Sequence, residues 1–261
     1  MIDSTISIIG GGNIGEALVA GLLAAGADGD RLTVVERRPE RADYLTDTYG
    51  IRVTAELSTA ADVTFIAVKP KDVVGCATQL QVPEGAVVVS LAAGVTVATV
   101  EAALPNVAVV RVMPNTPMLV RQGMAAVCPG SLATDAHVQV VRDLLDTVGE
   151  TIVLPESHID EVTALSGSSP AYVFLFAEAL IDAGVARGLT RDEATTLVVN
   201  SVAGAGALMR ESPASVQELR AQVTSPGGTT AAALKVLEAA GFRSALADAV
   251  DACAEKNAEL S

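Results

Sequence analysis

The sequence predicts a doubly wound α/β domain over residues 1–155, followed by an all-α domain over residues 156–261. Three observations carry that division. Short β-branched runs alternate with helix-length segments up to about Pro155. A glycine-rich turn separates the first run from the first helix. Beyond Pro155 the strand pattern stops and alanine-rich helical patterns take over.

The strand runs are "TISII", "LTVVE", "VTFIAV", "AVVVSL", "VAVVR", "GMAAVC" and "TIVL". Each is apolar nearly throughout, which suits parallel strands covered on both faces. Helices are expected from Glu16 to Ala25 and from Pro39 to Tyr49. The second part reads as helices in "PAYVFLFAEALIDAGVARG", "RDEATTLVVNSVAGAGALMRE", "PASVQELRAQ" and "TTAAALKVLEAAG". Ser169 ahead of Pro170 reads as an N-cap and first-turn pair. The segment from Pro170 to Ala186 is so apolar that it must be covered nearly all round. A second copy of the chain is the expected cover, with Gly184, Gly204 and Gly206 permitting close approach. A monomeric bundle is the alternative, and a solution mass of 26.5 kDa would select it.

Composition excludes several classes. At 261 residues, half apolar and 18% charged, the chain can bury a large core without disulfides. A net charge of −14 argues against sequence-independent nucleic-acid binding, which needs clustered Lys and Arg. Cys76, Cys128 and Cys253 are odd in number and in no metal-ligand spacing, so reduced thiols, a cytoplasmic location and no metal are expected. The beginning of the sequence has no basic, cleavable leader pattern, and Glu178 and Asp182 interrupt the most apolar later segment. Secretion and membrane spanning are not expected.

Gly10, Gly12 and Gly15 match G-x-G-x-x-G, directly after the first strand and opening a helix. In that setting the glycines permit a tight turn, approach of a pyrophosphate to the backbone, and close packing of helix on strand. The helix N-terminus supplies N–H donors to the anion. Twenty-one residues after Gly15 the second strand ends in Glu36, where an acid commonly holds an adenosine ribose and favours NAD. Arg37 and Arg38 follow, and guanidinium groups there can clamp a 2′-phosphate and favour NADP. Both readings stay open. "AVKP" (Ala67 to Pro70), "LAAG" (Leu91 to Gly94) and "MPNTP" (Met113 to Pro117) each end a strand, along the edge where ligands collect in open α/β sheets.

In the second part, "TSPGGTT" sets the hydroxyls of Thr224, Ser225, Thr229 and Thr230 around Gly227 and Gly228 before an alanine-rich helix. Consecutive N–H groups there can address one carboxylate. No Ser–His–Asp or metal-ligand cluster can be assembled. Hydride transfer tolerates that lack, because a cofactor carries the chemistry.

Together "GGGNIGEAL", "AVKP", "SLAAGVT", "MPNTP", "SGSSPAY" and "VTSPGGTTAAAL" span essentially the whole chain, which resembles the pyrroline-5-carboxylate reductase family. The last motif is the family's most specific signature. The resemblance implies reduction of (S)-1-pyrroline-5-carboxylate to L-proline by hydride from NADPH or NADH. It implies a Rossmann domain followed by a helical dimerisation domain, in homodimers and larger rings such as decamers. Gly10, Gly11, Gly12, Asn13, Ile14 and Gly15 would line the cofactor, with Ala67, Val68, Lys69 and Pro70, and Ala92, Ala93 and Gly94. Glu36 and Arg37 would lie at its ribose and Asn115 at its nicotinamide. Ser225, Gly228, Thr229 and Thr230 would hold the substrate carboxylate. Thr230, the candidate catalytic residue, and Glu211 would lie near the ring nitrogen.

The chain departs from the family pattern twice: Ser169 stands where relatives usually carry glycine, and Glu36 where many carry a neutral polar residue. Two rival readings differ in specific features. β-Hydroxyacid dehydrogenases share the domain order but use a lysine one helical turn beyond their second glycine motif, and "SSPAYVFLF" has none. A nucleotide-binding sensor would not need an intact "TSPGGTT".

Overall fold

The computed structural model describes residues 4–57 and 61–260. In chain order the first part contains β1 (Ile6–Ile9), α1 (Asn13–Ala24), β2 (Leu32–Val35), α2 (Pro39–Tyr49), β3 (Arg52–Thr54), β4 (Val63–Ile66), α3 (Val73–Ala77), β5 (Val87–Ser90) and α4 (Val97–Ala103). It continues with β6 (Ala108–Met113), β7 (Gly123–Pro129), α5 (Asp135–Leu145), β8 (Gly149–Val153) and α6 (Ile159–Val162). The strands form one sheet in the order β3-β2-β1-β4-β5-β6-β7-β8.

The apolar runs become strands because both faces of the sheet are covered. Along β5, Val87 and Val89 join the core layer that also holds Leu18, Leu22, Leu45 and Leu144. Val88, between them, joins the opposite layer with Val73, Ala77, Val97 and Val100. This is the period-two alternation of a strand with helices on both sides. Fully buried side chains such as Phe65, Ile8 and Leu18 each stabilise the fold by about 1.5–3 kcal/mol.

Two features of the sheet differ from the sequence reading. β3 is an additional strand: it spans three residues at the sheet edge, with Arg52 exposed, too short and too polar to register as an apolar run. β7 runs antiparallel to β6 rather than parallel. Only the 3-10 turn Thr116–Val120 lies between them, and a parallel return needs a crossover of a dozen or more residues.

Cα packing divides the chain into Met1–Ser168 with Cys253–Ser261, and Ser169–Ala252. The second unit contains α7 (Ser169–Ala186), α8 (Arg191–Glu211), α9 (Val216–Gln222), α10 (Thr229–Ala239) and the first half of α11 (Phe242–Leu260). α11 was not among the helices expected. The N-cap reading of Ser169 is also corrected: a π-helical turn, Thr163–Gly167, ends at Ser168, and Ser169 is already helical. The α8 and α9 starts are closed by reciprocal capping boxes, Thr190 with Glu193 and Ser215 with Glu218.

No residue of α7 is buried, and Phe174 and Leu175 are each 66% exposed. Gly184 does permit close approach, but within the unit: a Cβ there would lie 3.1 Å from that of Ala194 on α8. Gly204 and Gly206 face open space. Within the helical run Glu156–Ala186, an 18-residue window that includes Glu178 and Asp182 has a mean hydropathy of 1.3, which by length and composition alone would suffice to cross a membrane.

Candidate active site

Register along the sheet brings the glycine loop and three other motifs to one edge. Ile9 at the end of β1 pairs with Val35 at the end of β2 and with Ile66 at the end of β4. Ile66 in turn pairs with Ser90 at the end of β5. The segments after these four strands therefore leave the sheet side by side, and the strand order reverses between β1 and β4. A crevice at that switch point is where open α/β sheets take ligands.

The loop after β1 is shaped by contacts that exclude side chains. Gly10 has φ +108°, and a Cβ there would lie 2.6 Å from the Ala67 carbonyl oxygen. A Cβ on Gly15 would overlap the Gly10 carbonyl oxygen, whereas one on Gly12 would meet nothing within 4 Å. Gly12 is thus the open side of the loop. The Gly10 N–H donates to the Val35 carbonyl (2.9 Å) and the Gly11 N–H to Glu36 Oε2 (3.2 Å). Those two donors are spent, which leaves the first turn of α1, whose N-cap Gly12 provides no side-chain cap.

Two charged side chains brace the loop. Arg41 Nε donates to the Gly11 carbonyl (2.6 Å), and its guanidinium pairs with Glu16. Glu16 also accepts from the hydroxyls of Tyr44 (3.0 Å) and Tyr49 (2.9 Å), tying α1 to α2. The Tyr49 hydroxyl is pushed up to about 12, by burial first and then by its bond to Glu16.

Glu36, 9% exposed, receives four donors. Its Oε1 accepts from the Arg38 main chain (2.9 Å) and Nε (3.1 Å), and its Oε2 from Gly11 and from Arg38 Nη2 (2.9 Å). The Arg38 guanidinium is the leading cause that lowers the carboxyl to about 2, against the opposing effect of burial.

A cavity of about 990 Å³ opens beside this cluster. Of the residues expected at the cofactor, Gly10, Gly12, Glu36, Arg37, Ala67, Val68 and Lys69 line it. Gly11, Asn13, Ile14 and Gly15 belong to the loop and α1 behind or beside that wall, and Pro70 opens the 3-10 turn after Lys69. Ala92, Ala93 and Gly94 follow β5, next along the same edge, outside the cavity. The sequence reading missed Leu57, Lys71, Asp72, Cys76 and Gln79, which also line it. "KPKD" ahead of a short helix was the available signal; the distance in sequence from the glycine loop concealed it.

Asn115 serves the local fold. Its Nδ2 donates to the Ser166 carbonyl (3.2 Å) and hydroxyl (3.3 Å), and its Oδ1 accepts from the Met124 N–H (2.9 Å). The amide expected at the nicotinamide is engaged in pinning the loop after β6 to β7 and the π turn. Cys128 is buried, which pushes its thiol up to about 11 and makes it a poor nucleophile.

Within the helical unit, Ser225, Gly228, Thr229 and Thr230 come together in one turn. Gly227 has φ +72°, and Gly228 N–H donates to the Ser225 carbonyl (3.0 Å). A Cβ on Gly228 would overlap Ser225 Oγ. Gly228 is the N-cap of α10 and offers no side-chain cap. The Thr224 hydroxyl donates to the Arg220 carbonyl (2.6 Å) and is spent. Among the described residues the hydroxyls of Ser225, Thr229 and Thr230 have no hydrogen-bond partner. Free hydroxyls and first-turn N–H groups make a compact donor site for a carboxylate. Glu211 is exposed at the end of α8, 4.0 Å from Arg210, and makes no hydrogen bond to this turn. No cluster of His, Cys, Asp and Glu suited to a metal occurs among the described residues.

Comparison with known proteins places both parts. Residues 156–260 match the family model described as pyrroline-5-carboxylate reductase dimerisation, and residues 5–94 match NADP oxidoreductase coenzyme F420-dependent. The chain is 47% identical to the pyrroline-5-carboxylate reductase of Corynebacterium melassecola, over 98% of each chain. The solved structure of a pyrroline-5-carboxylate reductase from Coxiella burnetii superposes with a TM-score of 0.93 at 36% identity, covering 99% of this chain and 98% of that one. The Plasmodium falciparum pyrroline carboxylate reductase with NADP bound superposes with a TM-score of 0.83 at 28% identity, covering 100% and 99%.

Proposed function

The chain belongs to the pyrroline-5-carboxylate reductase family, and from that membership we propose how its own residues carry the reaction. The enzyme reduces (S)-1-pyrroline-5-carboxylate to L-proline, the final step of proline biosynthesis, using NAD(P)H. One observation carries the residue assignments: α1 and α10 both begin at a glycine that offers no cap, one beside a large cavity and the other beside three unspent hydroxyls.

The glycine loop fits a dinucleotide. Gly12 faces open space, the first turn of α1 has donors to spare, and the cavity lies at the upper end of ordinary ligand pockets. Gly10, Gly11 and Gly15 shape this loop, while Gly12, Asn13 and Ile14 present N–H groups to the pyrophosphate. Ala67, Val68, Lys69 and Pro70 form the neighbouring wall, Glu36 and Arg37 the ribose end, and Ala92, Ala93 and Gly94 continue along the edge. Asn115 acts by holding its loop. When bound, the reduced nicotinamide supplies the hydride.

Ser225, Gly228, Thr229 and Thr230 hold the substrate carboxylate, and the Thr230 hydroxyl hydrogen-bonds the ring nitrogen; Glu211 assists there. A protonated imine is already a strong hydride acceptor, so the chain's main task is to fix the ring in position. The expected result for Thr230→Ala is a kcat/KM for the imine lower by about tenfold or more, with an unchanged Kd for the coenzyme. An unaffected rate would remove the role of Thr230.

Residues 1–155 are the nucleotide-binding part and 156–261 the substrate-binding and dimerisation part. The exposed apolar α7 supports a homodimer; family membership suggests larger rings such as a decamer, in the cytoplasm and with no membrane partner, and the net charge of −14 speaks against a nucleic-acid partner.

A further inference from the structure

We propose that Glu36 makes this chain select NADH over NADPH, with the Arg38 side chain as its exchangeable partner while no ribose is bound. The inference rests on reading the cavity as the dinucleotide site. It draws on the division of donors at the carboxylate. Two of the four are main-chain N–H groups, from Gly11 and Arg38, which anchor Glu36 to the glycine loop. The other two belong to the Arg38 guanidinium.

Arg38 is 68% exposed, so returning it to water costs little. A ribose diol can then replace the two guanidinium N–H groups with two O–H donors, and Glu36 stays fully satisfied. A 2′-phosphate brings no comparable pair of donors and adds negative charge beside a buried, ionised carboxylate. It would also draw Arg38 away, leaving Glu36 with its two main-chain donors and a like charge. Arg37 and Lys71 line the same cavity, but both are exposed, and their attraction is screened and serves either dinucleotide. Glu36 is held against the loop by its two main-chain donors.

The test measures kcat/KM for NADH and for NADPH at saturating pyrroline-5-carboxylate, together with the Kd of each coenzyme by calorimetry without substrate. Wild type should favour NADH by at least about tenfold in both readouts. Glu36→Gln and Glu36→Ala, each checked for folding by circular dichroism, should shift the ratio toward NADPH by about tenfold. Arg38→Ala should hold NADH use within about threefold, because the main-chain donors still fix the carboxylate. Binding of both coenzymes with NADPH preferred, or Glu36 variants that leave the ratio within about twofold, would overturn the selector alone. A tenfold loss of NADH use in Arg38→Ala would overturn the exchange. Binding of neither coenzyme to wild type would overturn the cavity assignment, and the selector with it.

Discussion

At the scale of single residues, Gly12 and Gly15 make opposite demands of the same loop. A side chain at Gly12 would enter free space, so Gly12→Val should fold with a Tm close to wild type and lose coenzyme affinity, as calorimetry would show. At Gly15 the obstruction is the Gly10 carbonyl, which is backbone and cannot step aside. Gly15→Ala should therefore lose about 2–4 kcal/mol of unfolding free energy in urea titration. The motif in the sequence marks both positions alike; their different roles depend on what lies opposite each.

Glu36 also links stability to pH. Its carboxyl is lowered from 4.5 to about 2 in the folded chain, chiefly by Arg38. The resulting stabilisation is fully present above about pH 4.5 and is lost as pH falls through about 2. Relative to Glu36→Gln, wild type should be more stable by on the order of 1–2 kcal/mol at neutral pH, a figure reduced for the solvent exposure of Arg38. Urea titrations between pH 7 and pH 3 should show that margin narrowing toward acid.

At the scale of elements, the way seven of the helices start separates support from binding. α4, α5, α8 and α9 begin at Thr or Ser side chains that accept an N–H of the first turn. α2 has no such cap, but Pro39 at its start removes one donor that would need it. α1 and α10 begin at glycine and keep their donors free. Thr190→Ala should thus cost about 1 kcal/mol in thermal or urea unfolding with kcat/KM unchanged. Much of this was legible beforehand, since "TSPGGTT" shows an excess of hydroxyls over what one cap needs. That the Thr224 hydroxyl is consumed by Arg220 was not legible, because a threonine bonds back to the preceding helical turn only once that helix has formed.

At the scale of the whole molecule, the exposed face of α7 is the proposed contact for the oligomerisation that the match of residues 156–260 to a dimerisation family indicates. Val173, Phe174, Leu175, Phe176 and Leu180 are all exposed in a single copy, far more apolar surface than one helix normally leaves to water. Phe174→Asp should shift the light-scattering mass toward the 26.5 kDa of one chain and reduce activity with it. A variant that keeps the assembly of wild type would show that this face lies outside the contact.

The sequence alone determined the order of the two parts, seven of the eight strands among the described residues, the glycine loop and the hydroxyl-rich turn. These are local features, in which periodicity, glycine placement and capping chemistry act within a few residues. Only the tertiary structure decided the direction of β7, the existence of β3, the role of Lys71, Asp72 and Cys76 in the cavity wall, and the engagement of Asn115 with Ser166 and Met124. It also decided the state of Glu36, whose neighbours in sequence, Arg37 and Arg38, leave both coenzymes open. Arg38, two residues along the chain, supplies three of its donors, but the Gly11 N–H reaches it only when β1 and β2 lie side by side. Such contacts join residues far apart in the chain, and no local pattern records which partner each side chain will meet.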